Sequence, residues 1–216
     1  MQRSLLLLLG LVCLMAGCIT IPPVDPPKVQ ISPDLKAGRT VFFKPTCRGA
    51  GGCPSSFTST LVGRLTSELE FKGYQFIVGE ELFAEARRRQ KAGGQVTGDS
   101  PFGDYWIQAG GMTEQVLTYE DLPPAGKRAL LEEARADGVL VLNILVGEDA
   151  EADNFMYEIR AFEVTARYTM GPDEAPGWVA RCGAFGENRK VLGSPGVTYA
   201  QAADKIARCL VAQLEK

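Results

Sequence analysis

Val139-Leu140-Val141-Leu142-Asn143-Ile144-Leu145-Val146 is a nearly continuous apolar run. A run of this length without polar alternation marks a strand covered on both faces, the hub of an α/β core. Before it, Pro123-Pro124 opens a helix through Leu130, Leu131 and Ala134, which Gly138 ends. After it, an acidic turn leads into Phe155 to Met170, a long alternating strand. Its phase slips near Ala161-Phe162, which predicts a bulge or a bend there. Gly171-Pro172 and Pro176-Gly177 bracket a hairpin loop leading to a returning strand, Trp178 through Phe185.

Working outward toward the amino terminus, Thr40-Val41-Phe42-Phe43 reads as a first strand. Pro54-Ser55-Ser56 supplies a helix start with a hydroxyl for capping, and Phe57, Leu61, Val62, Leu65 and Leu69 share a helical face. Lys72-Gly73 suits its stop. Tyr74 to Val78 is a second strand, expected parallel to the first because a helix separates them. A second helix runs from about Glu80 to Gln90. From about 91 to 124, glycines and Pro101 break any regular period, which predicts an irregular excursion with one short strand near Tyr105-Trp106-Ile107. The last helix opens with the capping box Thr198-Tyr199-Ala200-Gln201 and places Ala202, Ile206, Cys209 and Leu210 on one face. The expected fold is therefore α/β: a mixed sheet with a parallel β-α-β start, a buried central strand, a C-terminal antiparallel hairpin and helices packed on the sheet.

The chain opens with Arg3 ahead of the apolar block Leu5 to Leu14, the form of a secretory signal too short to span a bilayer comfortably. It closes in Leu14-Met15-Ala16-Gly17-Cys18, which resembles the lipobox of bacterial lipoproteins. The resemblance implies cleavage before Cys18 and acylation of its sulfur, with Met15 standing where Leu is usual. Asp after the lipidated cysteine goes with inner-membrane retention in that class; Ile19 is not Asp, which implies the outer membrane. Residues 1–17 are thus expected to be a signal peptide. Residues 18–37 form a lipidated, proline-rich tether, and 38–216 a single domain. The acyl lipid on Cys18 is the only non-protein group expected, with no other cofactor and no metal.

The chain has 216 residues and a formal net charge of -3; removing Arg3 with the leader gives -3 - 1 = -4 for the mature form. That charge offers nucleic acid no electrostatic footprint. Histidine is absent, which removes His-based triads, His metal ligands and the usual near-neutral proton shuttle. The expected partners are the membrane, through the anchor, and an envelope protein, with homo-oligomerisation left open.

Outside the leader and Cys18, four cysteines remain: Cys47, Cys53, Cys182 and Cys209. An even count in an exported chain favours disulfides, and four cysteines allow three pairings. Cys47 with Cys53 closes a glycine-rich loop, and Cys182 with Cys209 ties a late strand to the last helix. These are the favoured pairs. The Lys44 to Ser56 segment, with its glycines and Arg48, also invites comparison with a phosphate cradle, although the Walker Lys-Ser/Thr pair is missing. Glu148, Asp149, Glu151 and Asp153 cluster in the turn after the central strand, without the ordered spacing of a calcium loop. Arg87-Arg88-Arg89-Gln90-Lys91 suits a helix carboxyl end, with contact to anionic lipid or an acidic polymer as the sharper reading. Phe102, Tyr105 and Trp106 in the excursion are the candidate partner contact, since loop aromatics serve as interface anchors, with a small satellite cluster formed by folding back as the alternative.

Several phrases lie along this order of elements: the Leu-rich first helix, Gly73-Tyr74-Gln75-Phe76, Ala136-Asp137-Gly138-Val139-Leu140-Val141 and Gly177-Trp178. Together they resemble the periplasmic α/β domains of the TolB amino-terminal, CsgG and LpoB lipoprotein group. The resemblance implies a non-enzymatic binding or assembly role: partner contact as in TolB, a secretion-complex subunit as in CsgG, or cell-wall synthase activation as in LpoB. A tether shorter than is typical of LpoB-like proteins weakens the last of these. Charged residues on both faces of the hairpin, Glu158 and Arg160 against Glu163 and Arg167, argue against a pore-forming ribbon.

Overall fold

The structure, a computed structural model, describes residues 30–31, 37–49, 51–91, 100–109, 118–148, 157–189 and 197–214. In chain order its elements are β1 (Gln30–Ile31), β2 (Arg39–Phe42), β3 (Thr46–Gly49), α1 (Ser55–Phe71), β4 (Gln75–Val78), α2 (Gly79–Lys91), α3 (Pro101–Gln108), a 3-10 turn (Tyr119–Asp121), α4 (Pro124–Ala134), β5 (Gly138–Glu148), β6 (Tyr157–Met170), β7 (Ala175–Arg189) and α5 (Tyr199–Gln213). The strands make one mixed sheet in the order β1-β7-β6-β5-β2-β4, with β3 also pairing β5. β2 lies parallel to β4 and to β5, whereas β5, β6 and β7 form an antiparallel meander. This is the expected α/β class with the expected parallel start and hairpin.

β5 is the hub because two successive segments use its one edge. β2 pairs with Gly138–Leu140 and β3 with Asn143–Val146. Pro45, which has no N–H to give a ladder, lies between them, and the Lys44 N–H turns away to Glu80 Oε1 at 2.6 Å. β3 ends at Gly49, where φ is +115° and a Cβ would fall 2.0 Å from the Val146 carbonyl oxygen; only glycine fits. Sequence alone places this strand in a loop.

Alternation along β5 divides the core into two. Leu140, Leu142, Ile144 and Val146 face α1 and α5, in one cluster with Phe57, Leu61, Leu65 and Leu69. Val139 and Val141 face α2, α3 and α4. The first helix ends as expected, with Gly73 at φ +94° and the Tyr74 N–H donating to the Leu69 carbonyl at 3.2 Å. Its start differs: Pro54 is the N-cap and no side-chain oxygen caps it. α4 stops at Ala134 rather than Gly138, through Arg135 in the left-handed region. Asp137 then accepts the Arg39 N–H at 2.8 Å, pinning the start of β2.

Three further expectations are corrected. The excursion's segment at Tyr105-Trp106-Ile107 is the helix α3, not a strand. The hairpin register shifts at Tyr168/Thr169, not at Ala161-Phe162. The extra residue is Gly177, where a Cβ would meet the Tyr168 ring at 2.5 Å, so the bulge lets Trp178 and Tyr168 stack in the core. Lastly, Gln30 and Ile31, read as part of the tether, pair with Val179 and Trp178 of β7.

Candidate functional site

The two faces of the sheet are not equally covered. On the α1/α5 face the buried side chains run from Tyr168 and Leu140 up to Val146 and Phe162. On the other face the helices cover Val139 and Val141, and there the layer of described helices ends: Asn143 is only partly buried and Leu145 is 51% exposed. The central strand is therefore covered on both faces over only half its length, which corrects the expectation of full coverage.

Register assigns what lies on the bare half. One row across the sheet is Thr46, Asn143, Thr165 and Arg181; the next is Arg48, Leu145, Glu163 and Gly183; beyond it come Gly147, Ala161 and Phe185. At the step where the helical layer stops, Glu120 of the 3-10 turn forms a wall. Arg48, Glu120, Asn143, Leu145, Glu163 and Thr165 line a groove of about 390 Å³ there.

The groove's charges are partly matched. Glu163 accepts from Arg181 at 2.5 Å and Glu120 from Arg167 at 3.0 Å. Arg48 is exposed and makes no ion pair among the described residues. The Asn143 Oδ1 is buried without a donor among the described residues, which costs about 1–3 kcal/mol when nothing offsets it. The site thus offers an unmatched guanidinium, an underused amide, a hydroxyl and a half-exposed leucine. That set suits recognition of an anion carried on a partly apolar ligand.

The residues singled out from sequence fall elsewhere. Phe102 and Trp106 are 1% and 2% exposed and, with partly buried Tyr105, pack against Phe83 and α4. The candidate partner contact at Phe102, Tyr105 and Trp106 is therefore corrected: these side chains hold the helical layer to the sheet, and the Trp106 indole N–H donates to Gln90 at 3.2 Å. Arg48 does not complete a phosphate cradle, because Cys47 points to the α1 side of the sheet and Arg48 to the opposite one. Cys47 is bonded to Cys53 and Cys182 to Cys209, with Cα separations of 5.9 and 6.2 Å; these are the favoured pairs. The Arg160 guanidinium donates to the Gly52 carbonyl at 3.0 Å and closes over the first loop.

In the basic run, Arg88 and Arg89 pair with Glu85 at 3.0 and 3.1 Å, while Arg87 and Lys91 are exposed. Cys18, with its lipidation, and Asp149, Glu151 and Asp153 of the acidic turn lie outside the described residues. Among the described residues no three His, Cys, Asp or Glu side chains are grouped to hold a metal. None of their helices is long and apolar enough to cross a membrane.

Burial raises Tyr74, Tyr119 and Tyr168 above the ordinary phenol value, and the nearby Glu174 carboxylate adds to the rise at Tyr119. Hydrogen bonds from Thr118, backbone first and then side chain, lower Asp121. Sequence reasoning missed the groove; the one polar residue inside the apolar run, Asn143, was its signal.

No family model matches the chain, and no curated protein does. Among solved structures, lipoprotein GNA1162 from Neisseria meningitidis is similar at 13% identity and a TM-score of 0.45, over 83% of this chain and 99% of that one. The PelC dodecamer from Paraburkholderia phytofirmans is similar at 9% identity and a TM-score of 0.40, over 87% of this chain and 97% of that one. With TM-scores under 0.5, neither likeness carries an argument about function.

Proposed function

We propose that this chain is an outer-membrane lipoprotein, anchored through acyl chains on Cys18, whose single α/β domain is a non-enzymatic periplasmic docking module for an envelope protein. The bare half of the sheet carries the docking part of this reading. A sheet that is covered on one face and half of the other leaves Leu145 exposed beside charged residues, the composition of a contact surface rather than of a closed core. The leader and Leu14-Met15-Ala16-Gly17-Cys18 support the compartment. The two disulfides suit an oxidising space. With β1 held on β7, residues 19–29 are the link to the membrane and can reach at most about 34 Å at ~3.1 Å per residue. The partner is then sought near the membrane surface.

A photo-crosslinking residue placed at position 145 in producing cells tests both parts. A discrete adduct is expected from the wild-type leader, with radiolabelled palmitate incorporated, and both are expected to disappear with Cys18→Ala. Membrane association and labelling without any adduct would remove the docking face. Palmitate incorporation unchanged by Cys18→Ala would remove the anchor.

A further inference from the structure

We propose that the groove at the step of the sheet receives an acidic side chain carried on an extended segment of the partner protein, with Arg48 as its cationic contact. The proposal rests on the docking reading above and gives it a chemistry. The groove is lined by two carboxylates and one guanidinium, but both carboxylates are already engaged. Glu163 is held by Arg181 at 2.5 Å and Glu120 by Arg167 at 3.0 Å. Among the described residues these three arginines and two glutamates leave one positive charge unmatched, and it is Arg48, on β3 beside Leu145. A planar guanidinium takes a carboxylate through two parallel N–H bonds, which gives geometric selectivity as well as attraction.

The neighbours select among anions. A carboxylate brings one charge and matches the surplus; a phosphate brings a second, which Glu120 and Glu163 oppose. Among the described residues nothing donates to the Asn143 Oδ1, so a rotation of this side chain would let it accept a peptide N–H. The Thr165 hydroxyl stands next to it across the β5–β6 ladder. Leu145, 51% exposed in the same row as Arg48, supplies apolar contact for the segment's adjoining side chains. A peptide carries an acid, N–H groups and apolar flanks together, and the groove meets each of them.

The full chain, isotope-labelled and held in detergent micelles, is titrated with N-acetyl-Leu-Glu-Leu-amide, with its Gln counterpart and with inorganic phosphate while side-chain signals are followed by NMR. The Glu peptide is expected to shift the Arg48 Nε–H, the Asn143 amide and the Leu145 methyls. Affinity is expected to fall about tenfold or more for the Gln peptide and for Arg48→Gln, an exposed substitution that the fold tolerates. Phosphate is expected to leave the Leu145 methyls unmoved. Equal affinity for the two peptides, no loss with Arg48→Gln, or tighter binding of phosphate would overturn the proposal. In cells, an adduct from position 145 that persists undiminished with Arg48→Gln would also overturn it, while leaving the docking face in place.

Discussion

The two faces of the sheet make opposite use of the same strands. The α1/α5 face is closed from Tyr168 and Trp178 to Val146 and Phe162: Phe57 stacks on Phe162 at 3.9 Å, the Trp178 indole donates to Tyr74 at 3.1 Å, and the Cys182–Cys209 bond ties the sheet to the last helix. The other face is closed by an aromatic knot of Phe43, Phe83, Phe102 and Trp106 over half its length and then stops. One face holds the molecule together, and the other gives up burial to keep a surface. Gln213, whose side chain donates to the Arg181 carbonyl at 3.2 Å, shows the closed side also guarding the edge of β7.

The sharpest way to break this comparison is to truncate matched positions on the two faces. Trp178→Ala is expected to cost about 3–5 kcal/mol in urea unfolding, against under ~0.5 for Leu145→Ala. A large loss at Leu145 would mean that its face is covered. Replacing Cys182 and Cys209 by serine is expected to remove about 3.5 kcal/mol, and replacing Cys47 and Cys53 about 2, on the loop-entropy model.

Alkali sharpens the comparison differently. The folded state keeps phenol protons on Tyr74, Tyr119 and Tyr168 that the unfolded chain gives up at about its ordinary value of 10.0. Their contribution is whole below that pH and is lost as pH rises above it, at about 1.4 kcal/mol per unit for each retained proton. Unfolding midpoints measured from pH 8 to 11 should stay level and then fall, with late-titrating phenols visible in the ultraviolet.

The smallest effect belongs to the bare half. Asn143→Leu is expected to stabilise by about 1 kcal/mol, by removing a buried acceptor without a donor, and to weaken the Glu-peptide response.

What the sequence made legible follows from local chemistry. The β5 run, the α1 face from Phe57 to Leu69, the Thr198–Gln201 capping box and the Cys182–Cys209 pairing each depend on periodicity or on near neighbours. β3 was hidden because Pro45 and Gly49 give it the look of a loop, and its partner lies about a hundred residues away. α3 was hidden by Gly103, although Pro101 at its first turn and the Phe102/Trp106 spacing were helix signals. The groove could not be read from one strand, since Arg48, Asn143, Thr165 and Glu120 come from four elements. Where the helical layer ends is a property of packing.

Solvent labelling by hydroxyl radicals, compared between the purified chain and intact cells, tests the division of the sheet most directly. Leu145 and Phe185 are expected to be labelled in the purified chain and protected in cells, while Phe102 and Trp106 stay unlabelled in both. Strong labelling of Trp106 in the purified chain, or equal labelling of Leu145 in both settings, would contradict it.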